Sequence, residues 1–238
     1  MGKIIAFYNT KCTGKTTTCV NLGACLAEQG KKVLIVDMDR IGRHATSILV
    51  TNDEKSIKST QVENLFIIPR SEDPFDKNSR KDWDLYKDNG FVLRKQLEKI
   101  RGQFDYILID CPPISGPFLG NALVAADSVM IPVFPVDWFH KDLQTTKEII
   151  YLIKGLNLNL NVGLGAVLGE YKPNKSCASV EYRLTKRFGD NFYCTRIPFS
   201  KDISEASKNR KLVCLYKPKS KATKAYRELA KEFLEKNS

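Results

Sequence analysis

Long apolar runs are missing from this 238-residue chain. No stretch approaches the ~18 consecutive apolar residues of a bilayer-spanning helix, so an integral membrane protein of that kind is excluded. Nothing near Met1 has the pattern of a secretion signal, because a functional motif begins within the first ten residues. Seven cysteines are present, yet they form no C-x-x-C pair and no Cys/His ligand spacing, which speaks against a metal or disulfide framework. They read as reduced, structural thiols of a cytoplasmic protein. Histidine is scarce: His44 and His140 are the only two, neither beside a candidate nucleophile, so neither is expected in catalysis. No internal repeat or low-complexity tract appears.

Charge of one sign is abundant instead. Thirty-eight Lys and Arg against twenty-seven Asp and Glu give a formal charge of +11, an excess that favours polyanionic partners without dictating a fold. Nucleic acid and acidic membrane surfaces both satisfy it. Residues 201–236 hold eleven of the cations against five acids, more than half of the net excess. Aromatics are few in the cluster, which suits contact with backbone phosphates better than base stacking.

Apolar runs of strand length alternate with helical patterns from end to end. Strands are expected near 3–8, 33–38, 64–69, 105–110, 128–134, 161–168 and 192–197. Continuous runs such as Val33-Leu34-Ile35-Val36 and Tyr106-Ile107-Leu108-Ile109 imply burial on both faces, as in a parallel sheet. Helices are expected near 15–29, 90–101, 117–126, 139–154, 176–188 and 222–236. In the helix over 139–154, Phe139, Leu143, Ile149, Ile150 and Ile153 form the core side. The last helix gathers Ala222, Ala225, Tyr226, Leu229, Ala230, Phe233 and Leu234 on one face. The expected fold is α/β, a mostly parallel twisted sheet flanked by helices on both faces, as one domain over 1–238 with a basic helical part from about 200. Residues 71–89, polar and without a sustained period, read as a surface excursion.

The strand Ile4-Ile5-Ala6-Phe7-Tyr8 runs into Asn9-Thr10-Lys11-Cys12-Thr13-Gly14-Lys15-Thr16-Thr17 and then into a helical pattern. Strand, Gly-Lys-Thr and helix together make the core of a phosphate-binding loop, whose N–H groups and helix N-terminus cradle phosphates. The substrate class is a nucleoside triphosphate. Lys15 is expected on the β- and γ-phosphates and Thr16 on Mg²⁺. The loop is unusual, with Asn9 where the strict pattern has glycine and Gly14 as the one glycine left. Two further strands end in aspartates: Val36-Asp37-Met38-Asp39 and Leu108-Ile109-Asp110. Strand carboxyl ends are where an open α/β sheet holds its ligand. Asp110 is expected to serve Mg²⁺ through a water, Asp39 to orient the attacking water and contact the metal shell, and Asp37 to help close the loop.

These segments resemble the ParA/MinD family of ATPases with a deviant Walker A loop. The similarity runs through Phe7 to Thr18 with Asn21-Leu22-Gly23, through Val33 to Asp39, and through Phe104 to Pro113. It continues in Asn121-Ala122-Leu123, Ala125 to Val129, Ile131-Pro132-Val133, Ile197-Pro198, Ile203 to Ala206, Tyr216 to Ser220 and Ala225 to Leu229. It covers nearly the whole chain and is nearest to the partition ParA proteins. The resemblance implies ATP and Mg²⁺ as ligands, a nucleotide-sandwiched homodimer, and DNA bound without sequence preference. It also implies a ParB-like or other adaptor that stimulates hydrolysis, a nucleoid-associated cytoplasmic location, and a plasmid, chromosome or large compartment as cargo. By the same token Lys11, Cys12, Thr13, Gly14, Lys15, Thr16 and Thr17 hold the nucleotide and Pro198 lines the adenine pocket. Lys15, Asp39 and Lys11 serve catalysis, and Thr16, Asp39 and Asp110 serve the metal. Lys217, Lys219 and Lys221, with Arg183, Lys186 and Arg187, are the implied DNA contacts.

Departures from the family pattern bear on mechanism. The family's cross-dimer lysine falls at Thr10 here, with Lys11 displaced by one residue. Lys11, or else Lys141, Lys147 or Lys154, would carry that charge. A carboxysome-positioning branch, McdA, shares this departure. Arg40-Ile41-Gly42 replaces Pro-Gln-Gly, Cys12 replaces a glycine, and the segment from His44 to Pro69 is short. ATP binding is therefore a firmer expectation than hydrolysis, and a switch with little turnover is one alternative. Another is a MinD-like membrane-surface ATPase, which needs a terminal amphipathic helix beyond the core, whereas this sequence stops just after a helix of packed pattern. A third is a metabolic enzyme, either an amide-forming synthetase or an iron–sulfur reductase using Cys111.

Overall fold

The computed structural model describes residues 1–11, 13–39, 45–49, 57–69, 91–136, 139–155 and 163–237, with the backbone alone at 47, 48, 139, 153–155 and 163. The excursion over 71–89, the Arg40-Ile41-Gly42 segment, Cys12, His44 and Trp138 lie outside the described residues, as do the side chains of Phe139, Ile153 and Lys154.

In chain order the elements are β1 (Lys3–Phe7), α1 (Lys15–Glu28), β2 (Val33–Asp37), α2 (Ala45–Leu49), β3 (Lys58–Ser59), β4 (Leu65–Ile68) and α3 (Val92–Ile100). There follow β5 (Tyr106–Asp110), α4 (Pro117–Ala125), β6 (Ser128–Val133), α5 (Phe139–Gly155), β7 (Gly163–Tyr171), α6 (Lys175–Phe188) and β8 (Phe192–Pro198). The chain closes with α7 (Lys201–Lys208), α8 (Val213–Tyr216) and α9 (Lys221–Asn237). All expected strands and helices are present. The periodicity did not disclose β3, α2, α7 and α8, each too short to show a period of its own.

The strands form one sheet in the order β3-β4-β2-β5-β1-β6-β7-β8, parallel except for the β3–β4 pair. The inner strands β1, β2 and β5 are the continuous apolar runs, and they are buried on both faces because helices cover both. Successive side chains alternate between two cores. Ile5, Phe7, Val33, Ile35 and Leu108 face the layer of α1, α2, α7, α8 and α9. Ile4, Ala6, Leu34, Val36, Ile107 and Ile109 face that of α3, α4, α5 and α6. The expected apolar stripe of α9 is buried except for Leu234, which is half-buried against the same core, and its Phe233 packs edge-on to Tyr106 at 5.1 Å and stacks with Tyr193 at 6.3 Å. Fully burying such a ring contributes about 1.5–3 kcal/mol. Leu143 and Ile150 of α5 are likewise buried.

The pairing register brings the functional strand ends together. Phe7 and Asp37 both stand beside Asp110, so β1, β5 and β2 finish at the same level. At the outer border, β8 is covered by α9: the Glu232 carboxylate accepts the N–H groups of Cys194 at 2.6 Å and Thr195 at 2.8 Å, and Lys236 donates to the Asp190 carbonyl at 2.6 Å. Among the described residues, no helix is long and apolar enough to cross a membrane.

One buried amide ties the ends of the chain together. Asn21 in α1 donates to the Thr17 carbonyl at 2.8 Å and accepts the Val213 N–H of α8 at 2.8 Å. Replacing Asn21 by Ala strands that N–H in the core, and urea denaturation is expected to show a loss of about 1–3 kcal/mol. An unchanged midpoint would mean the amide is dispensable.

Candidate nucleotide site

The loop between β1 and α1 is anchored from outside itself. Asn9, buried, donates from Nδ2 to the Pro132 carbonyl at 2.8 Å and accepts the Thr146 hydroxyl at 3.2 Å. That hydroxyl, on α5 and fully buried, in turn accepts the Thr10 N–H at 3.2 Å and meets the Thr10 hydroxyl at 3.3 Å. The residue that broke the glycine pattern is thus an anchor. Thr10 faces its own subunit, whereas Lys11 is exposed. The Lys11 carbonyl receives both the Thr13 N–H and the Lys15 ammonium, each at 2.9 Å. Cys12 lies outside the described residues.

Gly14 turns the chain into α1 with φ 75° and ψ 28°, the left-handed region that favours glycine. No side chain caps α1 among the described residues, so the donors of its first turn face the loop's interior. Lys15 and Thr16 are buried there, with Thr17 half-buried beside them. The Thr13 hydroxyl is buried and has no hydrogen-bond partner among the described residues.

Beneath the loop lie the three aspartates. Asp37 accepts the Thr46 N–H at 2.8 Å, the Thr46 hydroxyl, and the Asp39 N–H at 3.2 Å, so it fastens α2 to the end of β2. Asp39 is buried above it. Asp110 is wholly buried, and neither of its carboxylate oxygens has a hydrogen-bond partner among the described residues. The Thr16 hydroxyl approaches it without closing a bond of ordinary geometry. Burial first, then the neighbouring Asp37 carboxylate, holds the Asp110 pKa well above the usual range, against the opposing pull of Thr16 and Lys15. Burial likewise raises Asp37, opposed by its bonds from Thr46.

Orphaned carboxylate oxygens beside a hydroxyl are a hard, oxygen-rich donor set. They fit a magnesium ion, which takes one or two carboxylates and completes its shell with water and phosphate. Among the described residues, no group of three or more His, Cys, Asp or Glu side chains forms a metal cage. Cys111 does not suit a shared cluster ligand: it is fully buried, burial raises its thiol pKa, and it donates to the Ile109 carbonyl at 3.8 Å.

A cavity of about 240 Å³ opens beside the loop, between Gly14, Thr17 and Thr18 on one side and Pro198, Phe199 and Tyr226 on the other. That is slightly below the roughly 300–1,000 Å³ of whole-ligand pockets, a size suited to a base and part of a sugar with the phosphates outside on the loop. Pro198 is where the sequence expects the adenine wall. Glu170, with a left-handed φ of 49°, stands at the same cavity. Asn9, Thr146 and the Thr46 bond to Asp37 were not identified as part of the site from sequence, since buried threonines on short or mixed helices carry no periodic signal.

The six basic residues expected on DNA are exposed but fall into two groups. Lys217, Lys219 and Lys221 precede and open α9, in one helical layer. Arg183, Lys186 and Arg187 ride on α6, in the layer on the other face of the sheet. There Arg183 meets the His140 ring, and Arg187 bonds the Gln144 side chain at 2.5 Å. Burial together with Arg183 and Arg187 lowers the His140 pKa, and burial with Arg187 lowers that of Lys147. The basic groups of α5 and α6 are thus close enough to act on one another.

The family model described as an AAA domain matches residues 2–164. The chain is 38% identical to the sporulation initiation inhibitor protein Soj of Bacillus subtilis, covering 98% of both chains. It is 34% identical to the chromosome-partitioning ATPase Soj of Treponema pallidum, again over 98% of each. Among solved structures it is similar to the septum site-determining protein MinD of Pyrococcus horikoshii complexed with Mg-ADP. The TM-score is 0.78 at 25% identity, covering 98% of this chain and 96% of that one.

The raised Asp110 pKa makes a signed prediction. Between the ordinary carboxylate value, about 3.9, and its elevated folded value, the native state holds more protons than the unfolded chain. The group therefore costs stability progressively as pH rises through that interval, and nothing below it. Asp110→Asn, measured without nucleotide, is expected to melt roughly 2–4 °C higher than wild type near neutral pH, with the difference shrinking as the pH approaches 4. A variant less stable at neutral pH would contradict the burial argument.

Proposed function

The chain belongs to the ParA/MinD family of ATPases, and on that premise we propose that residues 1–238 work as one ATP-driven switch of the partition type. It takes Mg-ATP in the loop and cavity, pairs with a second copy across the nucleotide, and in the paired state holds DNA without sequence preference. An adaptor protein stimulates hydrolysis and links the cycle to a chromosome, plasmid or other large cargo.

One observation carries this reading: a fully buried Asp110, without a hydrogen-bond partner among the described residues, beneath an uncapped helix N-terminus and beside a cavity sized for a nucleoside. Each part answers to one portion of a magnesium nucleotide. The α1 amides and Lys15 hold phosphate oxygens, with Lys15 giving up the Lys11 carbonyl for the β- and γ-phosphates. In this reading Thr16 would ligate the metal, Asp110 would serve it through a water, and Asp39 would orient the water that attacks the terminal phosphorus. Thr13, Gly14 and Thr17 shape the phosphate cradle together with Cys12. Bound Mg²⁺ supplies neutralisation of phosphate charge. Pro198 closes the wall against the adenine. Thr10 is turned inward and Lys11 outward, which supports Lys11 as the lysine that reaches the partner's phosphates. The matching ligands of relatives, Mg-ADP on the Pyrococcus horikoshii MinD above all, point the same way.

Nucleotide acts here as a ligand for the paired state only, so it shifts the monomer–dimer equilibrium by mass action. Pairing then doubles the cations that meet DNA, and the second set binds at high effective concentration. The net charge of +11 and the two exposed basic groups support the polyanion step.

Lys15→Ala is expected to abolish Mg-ATP binding in calorimetry and nucleotide-dependent DNA retention in a filter assay. Retention equal to wild type would refute the switch. DNA affinity is expected to fall steeply with salt, with a log–log slope of about −0.9 per phosphate neutralised. Converting Lys217, Lys219 and Lys221 to Ala should flatten that slope. The same change at Arg183, Lys186 and Arg187 should flatten it too if both layers touch the duplex, and a wild-type slope near zero would remove DNA from the proposal.

A further inference from the structure

Phe134 follows β6 directly and stands in the wall of the cavity beside the phosphate loop. Its ring is held between two glycines from distant parts of the chain. A Cβ on Gly14 would lie 3.0 Å from Phe134 Cζ, and a Cβ on Gly169 would lie 2.9 Å from Phe134 Cε1. Carbon atoms in ordinary contact sit about 3.5–4.0 Å apart, so neither position has room for a side chain while the ring stays. Gly14 needs to be glycine for its backbone as well, whereas Gly169 is not among the residues of positive φ. At Gly169 the ring alone supplies the constraint.

We propose that Phe134 is a positioning residue of the nucleotide site, a rigid spacer that sets the distance between β7 and the Gly14 hinge. It thereby fixes where the loop's amides stand relative to the cavity. The assignment rests on reading that cavity and loop as the nucleotide site. The half-buried ring touches both backbones at once, so a side chain added on one side presses it toward the other. Phosphate-binding amides, in turn, tolerate little displacement.

The test is a two-residue cycle read by calorimetry with two probes, Mg-ATP and magnesium tripolyphosphate, on the full chain. Gly169→Ala pushes the ring toward Gly14 and is expected to weaken both ligands by about tenfold or more, since both use the loop. Phe134→Leu lacks Cε1 and Cζ, the atoms nearest the two hypothetical Cβ atoms, and is expected to weaken them only by roughly threefold. In the double variant the closest contacts are gone, and both affinities should return to within about threefold of wild type rather than show the product of the two losses. Denaturation midpoints report whether each variant is folded. They are expected to stay close to wild type, so that the affinity cycle follows the loop.

A neutral Gly169→Ala, or losses that multiply in the double variant, would overturn the spacer role. So would a Gly169→Ala that weakens Mg-ATP but leaves tripolyphosphate unchanged, because the ring would then act on the nucleoside and not on the hinge. If wild type takes up neither probe, the reading of the site itself falls, and the spacer role falls with it.

Discussion

Folding places a carboxylate, Asp110, where no hydrogen-bond donor among the described residues completes a bond to it, and much of the surrounding architecture follows from that. The sheet order puts the end of β5 between those of β1 and β2, and the register sets Asp37 directly beside Asp110. Two acidic groups on adjacent strands, both out of water, repel each other in a medium that screens poorly. One of them is relieved by Thr46. The other keeps its deficit, a condition that native structures retain where something outside the chain makes up the difference. Lys15 and Thr16 stand just above, and each pulls the Asp110 equilibrium toward the charged form without prevailing. In the proposed reading the hydrated metal completes what these two begin.

The loop above the carboxylates has one described glycine, and its stiffness comes from neighbours. Asn9 and Thr10 are laced to α5 through a single threonine hydroxyl that uses its donor and both its acceptor positions. The Asn9 amide reaches the end of β6 as well. A loop rich in glycine finds its shape through permissive dihedrals. This one is held by side chains on elements more than a hundred residues away, so α5 and β6 are mechanically part of the site. The outer surface of α5 carries Lys147 and Tyr151, in cation–π contact at 5.9 Å, and a partner that shifts this helix would act on the loop through Thr146.

Much of this was legible in the sequence, and the limits have physical reasons. Buried parallel strands announce themselves as unbroken apolar runs, and Gly14-Lys15-Thr16 between such a strand and a helix names its chemistry through spacing alone. Asp39 and Asp110 could be placed because strand ends are a topological location as well as a sequence position. What escaped was whatever depends on a partner far along the chain. Asn9 looked like a flaw in the loop until Pro132 and Thr146 appeared beside it. Phe134 and Gly169 have no meaning apart from each other and Gly14. The basic residues were found individually, but their division between the two helical layers is a property of the sheet, invisible to a count of charges.

The clasp of Glu232 on the outermost strand has a consequence for assembly. Unpaired amides along a sheet margin invite another chain to add itself as one more strand, and from there growth has no natural end. Here two of those amides are already taken by a carboxylate from the chain's own last helix, and the opposite margin is only two residues long. Copies of this protein are thereby steered away from open-ended stacking through their sheets. Association between copies is thereby directed to side-chain surfaces.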